Sequence, residues 1–459
     1  MARRWSHAAA PLYLCLCLIL GGSAQGIFAN MILQLLGLGL LAWAAMMPRR
    51  DVPSGAERQL YALILLSLGL VAIQLVPLPP SIWPHLGGRG VLAEGYQVLG
   101  VAIPWLPISV APYDSLATLL TVIPPLALLA LVLRIGARPL WLIAALLAGL
   151  LAGILLGILQ VSSPITTQSP WYLYAETNVG TATGFFANAN HMATLLVISI
   201  PFLAALLATA RSQRGGLQHY SGVIALVTAA AVVVVVGLAL NGSLAGYGLA
   251  VPVIVASILL LLPARSPARL WVGIGALVLL AGTLVALMLM PLGGSAIRSE
   301  ARISVDSRHE ILSTSLQATR AFMPLGSGLG TFPRVYSLYE DHDSLDTRAA
   351  VNHAHDDYVE LALETGLPGV ALLCLFLLWW AAAALRTWTA ADSGPFARAA
   401  VIASAAILIH SLVDFPLRTA AIASCFAMCL ALLVRWRPAA TAIVAEPAEL
   451  RPTRHVVIH

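Results

Sequence analysis

Two histidines and four acidic residues stand together at the start of one long apolar stretch of the sequence. They are His353, His355, Asp356, Asp357, Glu360 and Glu364. Histidine has an unperturbed pKa of about 6.5, so it can accept a proton from a hydroxyl near neutral pH. If a helix begins near His353, then residues 353, 357, 360 and 364 share one face of it. The pattern predicts a polar surface with a candidate base. A solvated, charged helix end and a metal site are the alternative interpretations.

Five arginines occur between residues 298 and 334. They are Arg298, Arg302, Arg308, Arg320 and Arg334. A guanidinium group can bind two phosphate oxygens at once, so this group favours an anionic ligand. Ion pairs with Glu300, Asp306 and Glu310 would produce the same pattern.

A third polar stretch, residues 184–191 (GFFANANH), precedes another apolar run. Asn188 is placed to cap a helix that begins there. The N-terminus of such a helix also favours an anion. Asn188 and Asn190 are therefore candidate substrate contacts, and a plain helix cap is the alternative.

A fourth stretch, residues 410–418 (HSLVDFPLR), lies between the last two apolar runs. Asp414 and Arg418 are four residues apart, and the simplest expectation is that they pair with each other. A contact between Arg418 and a phosphate group is the alternative.

The composition defines the class of protein that carries these groups. Of the 459 residues, 59% are hydrophobic and 10% are charged, whereas soluble proteins have about 25% charged residues. The apolar residues come in runs of about 18–22, the length at which a helix spans a bilayer. The sequence therefore predicts an all-α polytopic membrane protein and excludes a soluble enzyme, a disordered chain and a secreted disulfide scaffold.

The runs predict about twelve transmembrane helices. They cover residues 9–22, 27–47, 60–78, 115–133, 140–159, 190–210, 221–240, 245–262, 270–290, 364–385, 398–413 and 419–434. With both termini cytoplasmic, 17 of the 25 arginines fall on the cytoplasmic side and 8 on the other side. This is the positive-inside pattern, and it orients the predicted helices.

Residues 291–363 form the longest stretch between two predicted helices, numbers 9 and 10, and long loops are usually functional or disordered. Apolar spacing at Ile311, Leu312, Leu316 and Phe322 predicts a helix inside it. The predicted organisation is helices 1–9 in residues 1–290, a large periplasmic catalytic loop in 291–363, helices 10–12 in 364–436 and a cytoplasmic tail in 437–459. Loops 79–114 and 160–189 are long enough to cover the polar cavity that the face of residues 353, 357, 360 and 364 would line.

The four polar stretches together resemble the bacterial O-antigen ligase and polymerase superfamily. Residues 354–358 (AHDDY) and 366–369 (GLPG) are similar to the histidine–glycine signature of that family, which in many members reads AHNDY. Arg308 and residues 324–332 (PLGSGLGTF) are similar to a second family segment, and residues 186–190 and 410–418 match further ones. The resemblance covers roughly residues 180–420.

The resemblance implies a fold of about twelve transmembrane helices with a large periplasmic loop, and an activity. The activity is transfer of a glycan from an undecaprenyl-pyrophosphate carrier to an acceptor hydroxyl, without a metal or another cofactor. His355 would then be the base for the acceptor hydroxyl, or a group that orients it. Arg308 would hold the pyrophosphate leaving group, whose charge grows as the bond breaks. The predicted substrate-binding residues are Arg302, Arg334, Arg418, His353, Asp357, Asn188 and Asn190.

Two positions depart from the family pattern. Asp356 stands where Asn, Ser or Gln is common, and Leu244 stands where many ligases carry an arginine. Arg302, Arg334 or Arg418 are the candidates to supply the missing phosphate contact. The second departure concerns identity as a standard lipopolysaccharide ligase more than membership of the superfamily.

The expected partners are the lipid-linked glycan donor, a hydroxyl acceptor such as lipid A–core, and membrane lipids, with no nucleic acid. The expected location is the bacterial inner membrane, with the active loop in the periplasm. A repeat-unit polymerase and a protein O-oligosaccharyltransferase are alternatives within the superfamily. A transporter or flippase of lipid-linked sugars and a non-enzymatic assembly partner are the alternatives outside it.

Overall fold

The computed structural model describes residues 2–24, 27–48, 52–163, 169–212, 217–263, 266–289, 296–340, 351–390 and 393–435. The first helices are α1 (Ala2–Leu20), α2 (Phe28–Met46), α3 (Gly55–Gln74), α4 (Gly90–Val98), α5 (Pro112–Thr121), α6 (Ile123–Ala130), α7 (Pro139–Ser162) and α8 (Ala189–Ser212). The remaining ones are α9 (Leu217–Asn241), α10 (Leu244–Ile258), α11 (Ala268–Leu289), α12 (Ala296–Phe322), α13 (Phe332–Tyr339), α14 (Asp357–Thr389), α15 (Pro395–His410) and α16 (Ala420–Arg435). Within the described ranges, strands occur only as the antiparallel pair β1 (Pro77–Leu78) and β2 (Leu106–Pro107).

The structure has the all-α architecture of a polytopic membrane protein. In the described part of the chain, seven segments are long and apolar enough to cross a membrane: α2, α3, the segment Pro112–Ile135, α7, α8, the segment Tyr220–Asn241 and α14. Shorter apolar helices occupy the five other predicted positions, in α1, α10, α11, α15 and α16. An apolar helix therefore coincides with each predicted span, while the number of crossings stays a prediction.

Helices α8, α15 and α16 form the centre of the bundle. Helix α8 packs against α9, α10 and α15, and α16 packs against α1, α6 and α15. The buried positions of α15 and α16 are rich in alanine, including Ala399, Ala403, Ala421 and Ala431. Without a hydrophobic effect between helices in lipid, such small side chains allow the close approach on which van der Waals packing depends.

Several helix ends meet at one end of the bundle, which we call the site end. The loop after α1 contacts the segment before α8, where the Ala187 amide donates to the Gly22 carbonyl at 3.1 Å. The start of α14 contacts the end of α15, where the Asp357 amide donates to the Ser411 carbonyl at 2.9 Å. The end of α3 joins them through Gln74, whose side chain donates to the Glu364 carbonyl at 2.9 Å.

Helix α14 begins later than the predicted helix at His353 and earlier than the predicted span at residue 364. Asp356 is its N-cap, with Oδ1 accepting from the amides of Tyr358 at 2.9 Å and Val359 at 3.1 Å. An Asx cap of this kind supplies acceptors for amides that have no partner in the first turn, so the helix starts at Asp357. The charged residues 357, 360 and 364 thus belong to the helix and share a face, as predicted, whereas His353 precedes it.

A glycine interrupts α14 and lets a second segment dock. Gly366 has φ 61° and ψ −157°, a conformation that only glycine adopts readily. Residues 326–330 form a glycine-rich turn against this kink. The amides of Ser327 and Gly328 donate to the carbonyls of Leu363 and Glu364, each at 2.9 Å. The kink therefore exposes carbonyl groups, and the turn satisfies them.

Helix α12 confirms the helix predicted from the apolar spacing at residues 311–322. It packs along α14 and ends where Phe322, Phe332 and Val335 form a small separate core with Leu363 of α14. This core fixes α12 and the glycine-rich turn beside the charged start of α14.

Candidate catalytic site

His355 forms a hydrogen-bonded pair with the buried Asp414. The Nδ1 atom of His355 lies 3.2 Å from Oδ1 of Asp414, which comes from the loop between α15 and α16. The Asp414 side chain is fully buried, whereas the His355 side chain is 29% exposed. The pair therefore combines an enclosed carboxylate with an imidazole that reaches the surface of the site.

The geometry of His355 leaves one ring nitrogen available. Its backbone has φ 52°, in the left-handed region that residues other than glycine adopt rarely and at a cost of about 1–3 kcal/mol.

Among the described residues, Nε2 of His355 has no hydrogen-bond partner. Because Nδ1 is engaged by a carboxylate, it carries the proton, and Nε2 is the unprotonated nitrogen of the neutral ring. Such a nitrogen can accept a proton from a hydroxyl.

Asp414 is held by donors on every side. Asn190 of α8 donates to its Oδ2 at 2.6 Å, and the Phe415 amide donates to Oδ1 at 3.0 Å. Burial by itself raises the pKa of Asp414, but the hydrogen bond from His355 and the nearby imidazoles of His191, His355 and His410 lower it below its usual value. Asp414 therefore stays ionised beside His355.

Asn190 connects the Asp414 pair to two more helices. Its side-chain oxygen accepts from the Ser243 hydroxyl at 2.7 Å, at the N-cap of α10. Thr194, one turn further along α8, lies 2.7 Å from Nδ1 of His410 at the end of α15. These contacts place the carboxylate by means of helix ends rather than loops, which favours a defined position.

Phe415 lies among three imidazole rings. The ring centroid of His353 is 4.2 Å from that of Phe415, and those of His191 and His355 are 5.0 and 5.1 Å away in edge-on contacts. His191 is fully buried, and its two ring nitrogens have no partner among the described residues. The wall beside the His355–Asp414 pair is thus aromatic and rich in histidine.

Arg418 is the centre of a second charged cluster, formed with three acids of α14. Its guanidinium lies 3.1 Å from Glu364, 3.3 Å from Glu360 and 3.5 Å from Asp357. Burial alone lowers the pKa of Arg418, but these carboxylates outweigh burial and raise it above its usual value. Asp357 also accepts from the Ser411 hydroxyl at 2.8 Å. The predicted polar face of α14 therefore exists, and Arg418 holds it together.

His353 joins this second cluster rather than the Asp414 pair. Its Nδ1 atom lies 2.9 Å from Oε1 of Glu360, and the other oxygen of Glu360 accepts from the Ala354 amide at 3.0 Å. Glu360 is thus saturated by His353, Ala354 and Arg418.

The prediction that Asp414 pairs with Arg418 is wrong. Between them, residues Pro416–Arg418 form a 3-10 turn that directs Arg418 toward α14, while Asp414 faces α8 and His355. The two charges therefore belong to two different clusters. A spacing of four residues brings side chains together only on a helix, and this loop is not an α-helix.

The predicted arginines occupy different places. Arg308 of α12 is half-buried and lies within electrostatic range of His410, next to the Asp414 pair. Arg334 of α13 is 72% exposed and pairs with Asp114 of α5 at 3.1 Å, away from His355. The side chains of Arg298 and Arg302 lie outside the described part of α12. Among the described side chains of this group, Arg308 is the one with an electrostatic interaction with His410.

The start of α8 is a capped helix end. Oδ1 of Asn188 accepts from the Asn190 amide at 2.8 Å, and Oδ1 of Asn178 accepts from the Ala189 amide at 2.9 Å. The plain cap that was the alternative for Asn188 is therefore present, and Asn190 instead contacts Asp414.

Sequence reasoning missed two residues that hold the site. Arg89 is fully buried and donates to the carbonyls of Gly87, Ile108 and Gly326. Its partner in the glycine-rich turn, Gly326, has φ 79° and contacts Gly366 of the α14 kink. Gln74 clamps the same turn, accepting from the Leu329 amide at 3.1 Å. A lone arginine and a lone glutamine in long apolar surroundings were the available signals.

A metal site was the alternative interpretation of residues 353–357, but their side chains are not arranged as a set of metal ligands. The acids of α14 bind Arg418 and His353, and within the described residues no group of three or more His, Cys, Asp or Glu side chains is arranged to hold a metal ion. The side chains instead form a histidine–carboxylate pair, His355 and Asp414, with the cationic Arg308 within electrostatic range of the neighbouring His410.

Comparison with known proteins found similarity to one protein family. Curated proteins gave no match to the chain. Residues 229–374 match the family model described as Wzy_C, O-antigen ligase. The matched stretch includes Arg308, the glycine-rich turn, His353, His355 and the kink of α14. This stretch is therefore similar to the O-antigen ligase family, and the similarity supports a membrane function in polysaccharide biosynthesis.

Proposed function

We propose that this protein is a membrane glycosyltransferase of the O-antigen ligase type. It transfers a glycan from an undecaprenyl-pyrophosphate carrier to an acceptor hydroxyl in cell-surface polysaccharide synthesis, with lipid A–core as the leading acceptor. The site end then faces the periplasm of an inner-membrane protein with cytoplasmic termini. The observation that carries the proposal is the His355–Asp414 pair, with Nε2 of His355 open to a substrate.

In the proposed step, the acceptor hydroxyl attacks the anomeric carbon of the donor sugar. Nε2 of His355 takes the hydroxyl proton as the new carbon–oxygen bond forms, and Asp414 stabilises the resulting imidazolium. The bond between the anomeric carbon and the phosphate oxygen breaks, and its electron pair leaves with the carrier pyrophosphate. Displacement from the opposite face inverts the anomeric centre.

Arg308 is the proposed partner of the departing pyrophosphate. Charge grows on that group during the step, and a fixed cation beside it lowers the barrier. Arg302 lies six residues earlier on α12 and is a proposed second contact, whereas Arg334 pairs with Asp114 and is a proposed contact only at the edge of the site. The carboxylate cluster around Arg418, with His353 and Asp357, then positions α14 and the loop that carries Asp414.

The test is complementation of a strain that lacks the gene, read as surface polysaccharide on a gel. The expected result is loss of high-molecular-weight glycan, restored by the wild-type chain but not by His355→Ala or Arg308→Ala. His309→Ala and Arg320→Ala are matched controls, because both side chains are exposed on α12, and they should restore the ladder. All variants must reach the membrane in equal amounts by immunoblot.

The deletion strain also separates the alternatives. Bare core with free carrier-linked polymer indicates a ligase, core with one repeat indicates a polymerase, and unchanged polysaccharide with lost protein glycosylation indicates a protein O-oligosaccharyltransferase. Full restoration by His355→Ala would contradict the catalytic assignment and favour a transporter or an assembly partner.

A further inference from the structure

The segment between α3 and α5 has an unusual surface for a loop at the end of a membrane bundle. Residues 95–113 contain no Asp, Glu, Lys or Arg, whereas 10% of the residues of the whole chain are charged. Val98, Trp105 and Tyr113 are 87%, 65% and 85% exposed, and Leu99 and Val101 are exposed as well. We call residues 95–113 the uncharged segment.

The uncharged segment is held firmly in place. The Val110 amide donates to the Ser327 carbonyl at 2.8 Å, and the Ser109 amide donates to the Gln74 carbonyl at 2.9 Å. Trp83, which is buried, donates from its indole nitrogen to the Pro107 carbonyl at 2.7 Å. Arg89 adds its bonds to Ile108 and Gly326. Residues 107–110 of the segment are therefore anchored to α3 and to the glycine-rich turn, and the exposed Trp105 and Tyr113 flank this anchored part.

The apolar surface continues onto helices that face lipid. Ile73 and Val76, at the end of α3, are exposed, and so are Leu116 and Leu120 of α5. Both α3 and the segment Pro112–Ile135 are apolar enough to cross a membrane. Trp and Tyr are enriched where a membrane meets water. Tyr113 lies in the first turn of α5, and Trp105 precedes β2, which pairs with β1 just after α3.

We infer that the uncharged segment rests on the bilayer, with its apolar side chains among the outer acyl chains of the leaflet at the site end. The occupant of this surface is membrane lipid. Contiguous exposed apolar side chains mark a contact with another phase or molecule, and continuity with lipid-facing helices identifies the phase. The glycine-rich turn at the kink of α14 is then attached, through Arg89 and Val110, to an element seated on the lipid. This inference does not depend on the proposed reaction.

The experiment measures which phase surrounds the segment. Val98→Cys is labelled with an environment-sensitive fluorophore in the full-length chain, which is reconstituted into phosphatidylcholine–phosphatidylglycerol liposomes. Quenching is compared for aqueous iodide and for lipid with a nitroxide on the upper acyl chain. Val101→Cys repeats the measurement at a second position of the segment. Ser337→Cys on α13, an exposed position after the glycine-rich turn, is the control, and the unmodified chain supplies the background from its own cysteines.

The expected result is several-fold weaker iodide quenching at positions 98 and 101 than at position 337, with stronger quenching by the nitroxide lipid. Equal iodide quenching at all three positions would overturn the inference, because the segment would then lie in water. Shielding from both quenchers would overturn it as well, because protein, such as a second copy of the chain, would then cover the segment.

Discussion

His353 and His355 are two residues apart, yet they lie in opposite kinds of charged environment. His353 contacts Glu360 inside a cluster in which Arg418 contacts three acids. His355 contacts Asp414, which has no arginine partner among the described residues, and its other nitrogen is open. One cluster is closed and the other is incomplete without a ligand.

The difference indicates how to assign roles in a motif dense in ionisable groups. A buried charge whose partners saturate it has little left to offer a substrate, and removing one partner leaves others uncompensated. A buried carboxylate that orients a half-exposed imidazole resembles the arrangement of general-base catalysis. The closed cluster is therefore expected to govern stability, and the open pair to govern transfer.

The largest expected effect separates the two histidines. His355→Gln is expected to lower the rate of glycan transfer by a factor of about 100 to 10,000, because glutamine cannot accept the proton. His353→Gln retains a donor for Glu360 and is expected to lose much less. The measurement is transfer from purified lipid-linked donor by equal amounts of folded protein. Equal losses in the two variants would show that the open and closed distinction is wrong.

The second prediction compares two arginines. Arg418→Met leaves three buried carboxylates without their cation and is expected to lower the free energy of unfolding by about 3–5 kcal/mol. Arg334→Met removes an exposed pair with Asp114, which is worth less than about 1 kcal/mol. Thermal unfolding of both proteins in the same detergent tests this. A small shift of the melting temperature for Arg418→Met would mean that the cluster is not closed.

The third prediction concerns the open pair itself. All three partners of Asp414 (His355, Asn190 and the Phe415 amide) are donors, and Asp414→Asn would turn an amide NH2 toward one of them. His355 can relieve this by moving its proton to Nε2, which abolishes its role as base. Transfer by Asp414→Asn is therefore expected to fall toward that of His355→Gln, whereas Asp114→Asn, at an exposed pair, should leave it unchanged.

The stability of the same variant should depend on pH. The pKa of Asp414 is lowered in the folded chain, so its ionised form stabilises the fold above the unfolded pKa of about 3.9. The stability gap between wild type and Asp414→Asn should be full at pH 7 and narrow as the pH falls below about 4. Melting temperatures at pH 7, 5 and 3 measure it, and a gap that widens in acid would contradict the assigned ionisation.

The helices were predictable where apolar runs alone determine them. Helix α8 spans residues 189–212 against a predicted 190–210, because the length of a run in a membrane protein is set by the bilayer. The start of α14 was not predictable in this way. Its first turns are charged rather than apolar, and their cation, Arg418, lies 54 residues beyond Glu364, where no local pattern reveals it.

The site was predictable in its residues more than in its pairings. His355 and Arg308 came from a local pattern and a resemblance, and their roles stay predictions. The sequence predicts that Asp414 pairs with Arg418, whereas Asp414 contacts His355, because a spacing of four residues cannot reveal the 3-10 turn that leads to Arg418. Arg89 could not be predicted because its partners are backbone carbonyl groups. Every residue has such a group, so no residue type in the sequence marks the partner.

The smallest expected effect concerns the position where this chain departs from the family pattern beside the histidine. Asp356 serves as the N-cap of α14, a role that asparagine fills equally well. Burial raises the pKa of Asp356 above its usual value, so the ionised form is disfavoured in the folded chain, and this cost appears as the pH rises from the unfolded pKa of about 3.9. Asp356→Asn should therefore be as stable as wild type at pH 3 and slightly more stable at pH 7. Asp356→Ala, which lacks the cap, should lose about 1 kcal/mol at both. If asparagine destabilises the chain as much as alanine does, the carboxylate does more than cap α14. Asp356 must then be counted among the residues of the charged clusters.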